Sequence, residues 1–280
     1  MKDLVLKDSE FQQFSRYVQE TCGINLHEGK KALLKARLGK ILRGRNFRSF
    51  KEYYDHVIND RSGNELTILL NSISTNLTYF FREPQHFDFL RTEILPELLG
   101  RNGVSKNVTL RFWSAGCSTG EEAYSIAISA SQFLNHAKDA QIKILATDIS
   151  TRVLTKAENG VYDKEKIDKI PYELRRAYFQ KGDNRWRGYV RVKKEIRDLI
   201  SFQRLNFMEK FQFREPFDVI FCRNVMIYFE TATKEILIEK FYRNLSEGGY
   251  LLIGHAESLM GINHNFTYIK PSVFKKHREK

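Results

Sequence analysis

The stretch VTLRFWSAGCSTGEEAYSIAISASQFL, Val108 to Leu134, decides the fold. Its first eight residues form an apolar, strand-like run. A turn with Gly116 and Gly120 follows, and then a segment with helical spacing from Glu121 onward. Strand, glycine turn and helix make one half of a parallel βαβ unit. The same alternation continues to the C-terminus. QIKILATDIS reads as a strand, STRVLTKAENG as a helix stopped by Gly160, and LISFQRLN and FDVIFCRN as two more strands. TATKEILIEKFYRNLSEGG reads as a helix closed by Gly248 and Gly249, and YLLIGHAE as a last strand. Such alternation predicts a parallel sheet with helices on both faces. Ligands of these sheets sit beyond the carboxyl ends of the strands. The candidate site residues are therefore Ser114–Gly120, Asp148, Asn206, Arg223 and Asn224.

Residues 161–198 break the alternation. They hold a turn around Gly182–Gly188 and a strand-like YVRVKKEI, which predicts a small inserted hairpin. Residues 1–85 read as helical, with their one proline at Pro84. Within them, KKALLKARLGKILRGRNF puts Leu34, Leu38, Ile41 and Leu42 on one stripe. Lys31, Lys35, Arg37, Lys40, Arg43 and Arg45 cover the remainder of that helix. It is the densest positive patch in a chain with 46 basic and 34 acidic residues and a net charge of +12. A solvated face would account for such a helix. A one-sided charge without interspersed acids is better explained by an acidic partner.

Several classes are disfavoured. No run approaches the ~20 apolar residues of a membrane span. The start, MKDLVLKDSEFQQF, lacks the apolar core and cleavage site of a signal peptide. The three cysteines, Cys22, Cys117 and Cys222, are odd in number and far apart, which suits a reducing cytoplasm. The seven histidines lack metal-ligand spacing, so no metal is expected.

The turn is not a phosphate loop. Three residues separate Gly116 from Gly120, where a Walker loop has four, and Glu121 stands where that loop has its lysine. Serine at position 118 also breaks the G-x-G-x-x-G fingerprint. A capping box accounts for one glutamate, and the helix dipole favours acids here. A ligand that needs close backbone approach and carries positive charge accounts for both. S-adenosylmethionine is such a ligand, and Asp148, ending the second strand, can accept its ribose hydroxyls.

At this point the motifs WSAGCSTGEEAYSIAI, LATDIS, FCRNVMIYF, GHAESL and, upstream, STNLTYFFRE resemble those of the chemotaxis receptor methyltransferases, the CheR family. The resemblance spans nearly the whole chain and keeps the motif order. It implies an α/β fold: a Rossmann-like class I S-adenosylmethionine-dependent methyltransferase sheet with an inserted small β-subdomain, 161–198, inside a domain covering 86–280, plus an N-terminal all-α domain over 1–85. The implied activity is methyl transfer from S-adenosylmethionine to glutamate side chains of chemoreceptors, giving methyl esters and leaving S-adenosylhomocysteine.

Carried over by motif, Asn76, Thr78 and Arg82 resemble residues that close over the cofactor from the linker. Ser114, Ala115 and Gly116 belong to the turn, and Glu121 or Glu122 would lie near the methionine or adenosine. Asp148 would hold the ribose. Asn206 with Phe207 and Arg223 with Asn224 resemble the strand-end pairs along the adenine and methionine. Small departures occur: Gly116 where many members have alanine, Ala123 for a common proline, and Asn206-Phe207-Met208 where Asn-Leu-Leu is frequent. None removes a charged contact.

A glutamate carboxylate is ionised at neutral pH, its pKa being near ~4.3, so the reaction needs no general base. Alignment and exclusion of water are the enzyme's task. Tyr228, four residues past Asn224, is placed to flank the sulfonium or to hydrogen-bond the carboxylate. Arg82, ahead of Arg91, is the candidate for steering that carboxylate. His255, Cys117 and Cys222 are expected to be structural. The implied partner is the acidic cytoplasmic helices of chemoreceptors, docked by the basic helix and, as in some members, by a receptor tail added to the β-subdomain. A cytoplasmic monomer is expected, without membrane insertion and without nucleic acid, since the Asn/Asp-Pro-Pro-Tyr/Phe motif of base-amino methylation is absent. A non-catalytic adaptor would have lost the turn or Asp148.

Overall fold

The computed structural model describes residues 4–73, 77–101, 108–134 and 140–277. Four helices come first: α1 (Asp8–Cys22), α2 (Lys31–Gly44), α3 (Phe50–Asn59) and α4 (Asn64–Ile73). Their apolar stripes face one another. Phe11, Phe14 and Val18 of α1, Leu34, Leu38 and Leu42 of α2, Tyr53 and Val57 of α3, and Leu69 and Leu70 of α4 form one buried cluster. The helices begin and end where side chains permit. Ser49 accepts the Glu52 N–H at 3.1 Å to cap α3, and Gly23 closes α1 in the left-handed region at φ 76°.

Helices α5 (Pro84–Phe89) and α6 (Leu95–Arg101), joined by a π-helical turn, lead into the sheet. There follow β1 (Val108–Ala115), α7 (Glu121–Leu134), β2 (Ala140–Asp148), α8 (Thr151–Asn159), β3 (Val161–Asp163), α9 (Tyr172–Tyr178), β4 (Phe179–Lys181), β5 (Tyr189–Val192), α10 (Lys194–Arg197), β6 (Ile200–Arg204), β7 (Phe217–Cys222), α11 (Thr231–Asn244), β8 (Leu245–Ile253), β9 (Phe266–Lys270) and β10 (Val273–Lys276).

The large sheet has seven strands in the order β6-β2-β1-β7-β8-β10-β9. β1 pairs in parallel with β2 and β7, β2 with β6, and β7 with β8. β10 is antiparallel to both β8 and β9. The chain moves outward from β1 on one side, then returns to build the other side from β7. That reversal opens a crevice at the carboxyl ends of β1 and β7. Along β1 the side chains alternate between two cores. Leu110 and Phe112 face α7 and the linker helices. Trp113 and Ala115 face α11, where the rings of Phe207, Phe211, Phe213, Phe217 and Phe241 surround the indole at 5.0–6.3 Å.

Three expectations change in detail. The helix expected to run to Gly248 and Gly249 ends at Asn244. Leu245 already belongs to the strand and is buried. The glycines serve β8: a Cβ on Gly249 would meet the Asp218 carbonyl at 3.0 Å. The strand expected over 189–196 stops at Val192, and Lys194–Arg197 turns helical, which buries Ile196. The insertion holds a three-stranded antiparallel sheet, β3-β5-β4, rather than a single hairpin. The antiparallel pair β9 and β10 was not anticipated.

Candidate cofactor and methyl-transfer site

The turn after β1 hangs from β2. The N–H groups of Gly116 and Cys117 both donate to the Thr147 carbonyl at 2.8 Å, and the Ser118 N–H donates to Asp148 Oδ2 at 2.9 Å. Gly116, Ser118 and Gly120 all have positive φ, at 88°, 50° and 94°. For Ser118 this conformation costs about 1–3 kcal/mol and persists only where neighbours enforce it. A Cβ on Gly116 would lie 2.4 Å from Val225, so the turn and the loop after β7 are in close contact.

Above this turn lies a cavity of about 340 Å³, within the ~300–1,000 Å³ typical of small-molecule sites. Gly116, Cys117, Ser118, Glu122 and Asp148 form its floor. Asn206, Phe207, Arg223, Asn224 and Tyr228 form one wall, and Thr78 and Arg82 of the linker another. The expected residues thus converge on one space, with four exceptions. Asn76 lies outside the described residues. Ser114 and Ala115 sit beneath the turn instead of lining the cavity, although the Ser114 hydroxyl orients Glu122 by donating to its Oε1 at 2.7 Å. Glu121 is fully buried and ion-paired with Lys166 at 2.5 Å, outside the cavity lining. Of the two glutamates, only Glu122 faces the ligand space.

Burial pushes the carboxyls of Glu122 and Asp148 above their ordinary range. For Glu122 the nearby Arg223 and the Ser114 hydroxyl oppose the shift. For Asp148 the N–H groups of Ser150 and Ser118 oppose it. Both groups gain by meeting a cation or hydroxyl donors. Arg223 does not supply free positive charge: with 1% of its side chain exposed, it contacts Glu83 at 3.1 Å and Glu122 at 3.5 Å, and it donates to the Arg82 carbonyl. A sulfonium, an ammonium and a ribose diol match this donor set, whereas a phosphate does not.

The proton-transfer candidates are poorly suited to chemistry. Burial raises the thiols of Cys117 and Cys222 well above their ordinary value. His86 is pushed down to about 3, by burial first and then by Arg223. His255 is half-exposed and outside the cavity lining. Among the described residues, Glu83, His86 and His255 bring ligand-type atoms within 4.8 Å of one another. The Glu83 carboxylate there is engaged by Arg223 at 3.1 Å and by the backbone N–H of His255 at 3.2 Å. Arg91 is held by Asp88 at 2.5 Å, away from the cavity, whereas Arg82 lines it and donates to the Leu77 carbonyl at 2.8 Å.

Two features escaped the sequence reading. The helical domain itself closes the cavity: Cys22, Ile24, Asn25, Leu26, Lys30 and Leu33 line it. The chain after α1 makes an isolated antiparallel bridge, Ile24 to Phe229, and the Asn25 N–H donates to the Tyr228 carbonyl at 2.8 Å. The Asn206 amide donates to the Thr21 carbonyl at 2.8 Å, so this strand-end residue also ties the two parts together. The second feature is Glu257. Its carboxylate accepts N–H groups from Gly254, Asn224, Val225 and Ile227 at 2.6, 2.8, 2.9 and 3.3 Å. It fixes the loop that carries Asn224, itself at φ 59°, and Tyr228. The glutamate in GHAESL was the available signal.

The basic patch on α2 is only partly free. Lys31 pairs with Asp8, Arg37 donates to the last carbonyls of α4 at 2.7 and 3.1 Å, and Arg45 makes a fork to Glu65 at 2.5 and 2.7 Å. Lys35, Lys40 and Arg43 remain on the exposed face. Among the described residues no helix is long and apolar enough to cross a membrane.

Two family models match the chain: "CheR methyltransferase, SAM binding domain" over residues 76–274 and "CheR methyltransferase, all-alpha domain" over residues 9–74. Full-length relatives are similar. A chemotaxis protein methyltransferase of Borreliella burgdorferi is 42% identical, over 97% of this chain and 95% of its own. Chemotaxis protein methyltransferase 2 of Pseudomonas aeruginosa is 37% identical over 95% and 92%, and the chemotaxis protein methyltransferase of Escherichia coli K12 is 35% identical over 97% and 92%.

Proposed function

Because the chain belongs to the CheR methyltransferase family and is an S-adenosylmethionine-dependent methyltransferase of chemotaxis, we propose that it esterifies glutamate side chains on the acidic cytoplasmic helices of a chemoreceptor. The cavity at the switch point is the cofactor site in this reading. Asp148 takes the ribose hydroxyls, Glu122 faces the positive end of the methionine, and Phe207 with Asn206 flanks the adenine. Thr78 and Arg82, with Asn76 beside them in sequence, close the linker side. When bound, S-adenosylmethionine supplies a methyl group on a sulfonium.

The remaining work falls to the chain. The incoming carboxylate is already ionised. Among the described residues the Cys117 thiol and His86 are neutral, and His255 lies outside the cavity lining. The two carboxyls at the cavity, Glu122 and Asp148, are committed to the cofactor in this reading and do not serve as a base. That set suits a reaction needing none. Arg82 steers the carboxylate, Tyr228 holds it, and the helical domain covers the site and keeps water out. The exposed Lys35, Lys40 and Arg43, with Lys30 at the cavity wall, present positive charge to the acidic helix. Strand β4, at the edge of the inserted sheet, is where a receptor tail would add. A receptor's cytoplasmic helices put the reaction in the cytoplasm, and a monomer suffices for it. Residues 1–85 act as the docking and covering unit and lend Thr78 and Arg82 to the site, while 86–280 form the rest of the catalytic unit.

The observation that carries this reading is the pair of acids, Asp148 at the end of β2 and Glu122 in the first turn of α7, facing one cavity beside a glycine turn without a lysine. Calorimetric titration with S-adenosylhomocysteine tests it. Asp148→Asn, whose amide oxygen still accepts one backbone N–H, weakens binding more than tenfold. An unchanged dissociation constant would sink the ribose assignment.

A further inference from the structure

The inserted β-subdomain has a role at the cofactor turn that is separate from any docking. The turn at Gly116–Gly120 is strained, and β2 restrains only its first half, through Thr147 and Asp148. The second half is held by the insertion. The Tyr162 hydroxyl, from β3, donates to the Thr119 carbonyl at 2.6 Å. Lys166, from the 3-10 turn Lys164–Ile167, pairs with Glu121 Oε1 at 2.5 Å. The other oxygen, Glu121 Oε2, accepts the Thr119 hydroxyl at 2.6 Å. Thr119 is therefore gripped at its carbonyl and its hydroxyl. The fit is close, since a Cβ on Gly120 would lie 3.0 Å from the Tyr162 oxygen. The insertion is itself anchored, because Tyr162 and Ile167 are buried in the main core.

We propose that Lys166 and Tyr162 are positioning residues for cofactor binding, acting through Glu121 and Thr119 to hold the turn in its binding conformation. The inference rests on the cavity being the cofactor site. Glu121 is fully buried, and removing its partner leaves an uncompensated carboxylate in an apolar surround. Without that partner the carboxylate side chain shifts toward other donors, and a shift loosens its hold on the Thr119 hydroxyl. Glu122 is the next residue on the same helical turn, so a shift at Glu121 displaces the group that faces the ligand. The contact is to the turn and away from the cavity lining, so the effect is expected in cofactor affinity and not in receptor affinity.

The test compares Lys166→Met, Lys166→Arg, Tyr162→Phe and Asp148→Asn with the unaltered chain. Each is titrated with S-adenosylhomocysteine, melted thermally, and assayed for receptor methylation as separate KM and kcat values. Lys166→Met and Tyr162→Phe are each expected to weaken S-adenosylhomocysteine binding by about fivefold or more. The KM for S-adenosylmethionine should rise in step, with the KM for receptor unchanged and most of the loss restored in Lys166→Arg. A lowered melting temperature with unchanged affinity in the clamp variants, while Asp148→Asn loses binding, overturns the clamp alone. Full affinity in Asp148→Asn as well overturns the reading of the cavity, and the clamp with it. Should Lys166→Met not fold, the near-isosteric Tyr162→Phe decides: unchanged affinity there rejects the proposal.

Discussion

Glu257 offers the sharpest test of how the loop after β7 is held. Oε2 accepts from Gly254 and Asn224, and Oε1 from Val225 and Ile227, at 2.6–3.3 Å. Glutamine keeps the shape but leaves one accepting oxygen. The new NH₂ group faces two N–H donors that it cannot satisfy. Hydrogen bonds to a charged acceptor contribute about 1.5–3 kcal/mol each. Two lost bonds amount to about 3–6 kcal/mol, and at this half-buried position water recovers part, leaving about 3 kcal/mol. For a domain of this size, that lowers the melting temperature by roughly 6–12 °C, at ~2–4 °C per kcal/mol. Because the loop carries Asn224 and Tyr228 into the cavity, cofactor affinity and kcat should fall with it. The assay pairs a thermal melt with titration by S-adenosylhomocysteine. If Glu257→Gln melts within about 2 °C of the unaltered protein and binds equally well, the carboxylate is not what holds this loop.

Two further predictions follow from charge. Reversing Lys35, Lys40 and Arg43 to glutamate leaves cofactor affinity unchanged and raises the receptor KM, with the defect shrinking as salt is added. An unaffected KM removes the docking role. Arg37 and Arg45 are unsuitable for this test, since their guanidinium groups hold α4. The second prediction concerns pH. Burial raises the Glu122 carboxyl in the free protein, and a bound cation favours its ionised form. Affinity for S-adenosylmethionine is therefore full above that raised pKa. It is lost as pH falls through it, beginning at higher pH than an exposed glutamate would give. Glu122→Gln should weaken binding at neutral pH and flatten the profile, as followed by titration calorimetry. A variant profile as steep as the original points to another group.

The parallel half of the sheet was legible because short apolar-rich segments alternate with helical ones and are followed by polar residues, as Asp148 ends β2 and Arg223 and Asn224 follow β7. The helical domain was legible from the leucine spacing of α2. The pair β9 and β10 was not, because FTYIKPSVFKK carries prolyl and lysyl residues and too weak an alternation to mark two short strands. The end of α11 was misplaced because glycines signal both a helix cap and a close strand approach, and only the packing against Asp218 decides between them. Side-chain direction at the site was also hidden. Adjacent glutamates on a helix point about 100° apart, so one of Glu121 and Glu122 had to leave the ligand space. Lys166, 45 residues onward, is what selects Glu121 for the ion pair. The wall formed by the helical domain depends on the bridge between Ile24 and Phe229, a contact between distant segments that local pattern does not encode.

The central claim is methyl transfer to a receptor carboxylate. The direct measurement incubates the protein with methyl-tritiated S-adenosylmethionine and receptor-containing membranes, then treats the labelled product with mild alkali. Label on the receptor that leaves as volatile methanol is the predicted result, since only a carboxyl ester hydrolyses that way. Label that resists alkali, or that resides on nucleic acid, contradicts the account at its substrate even where the cofactor is right.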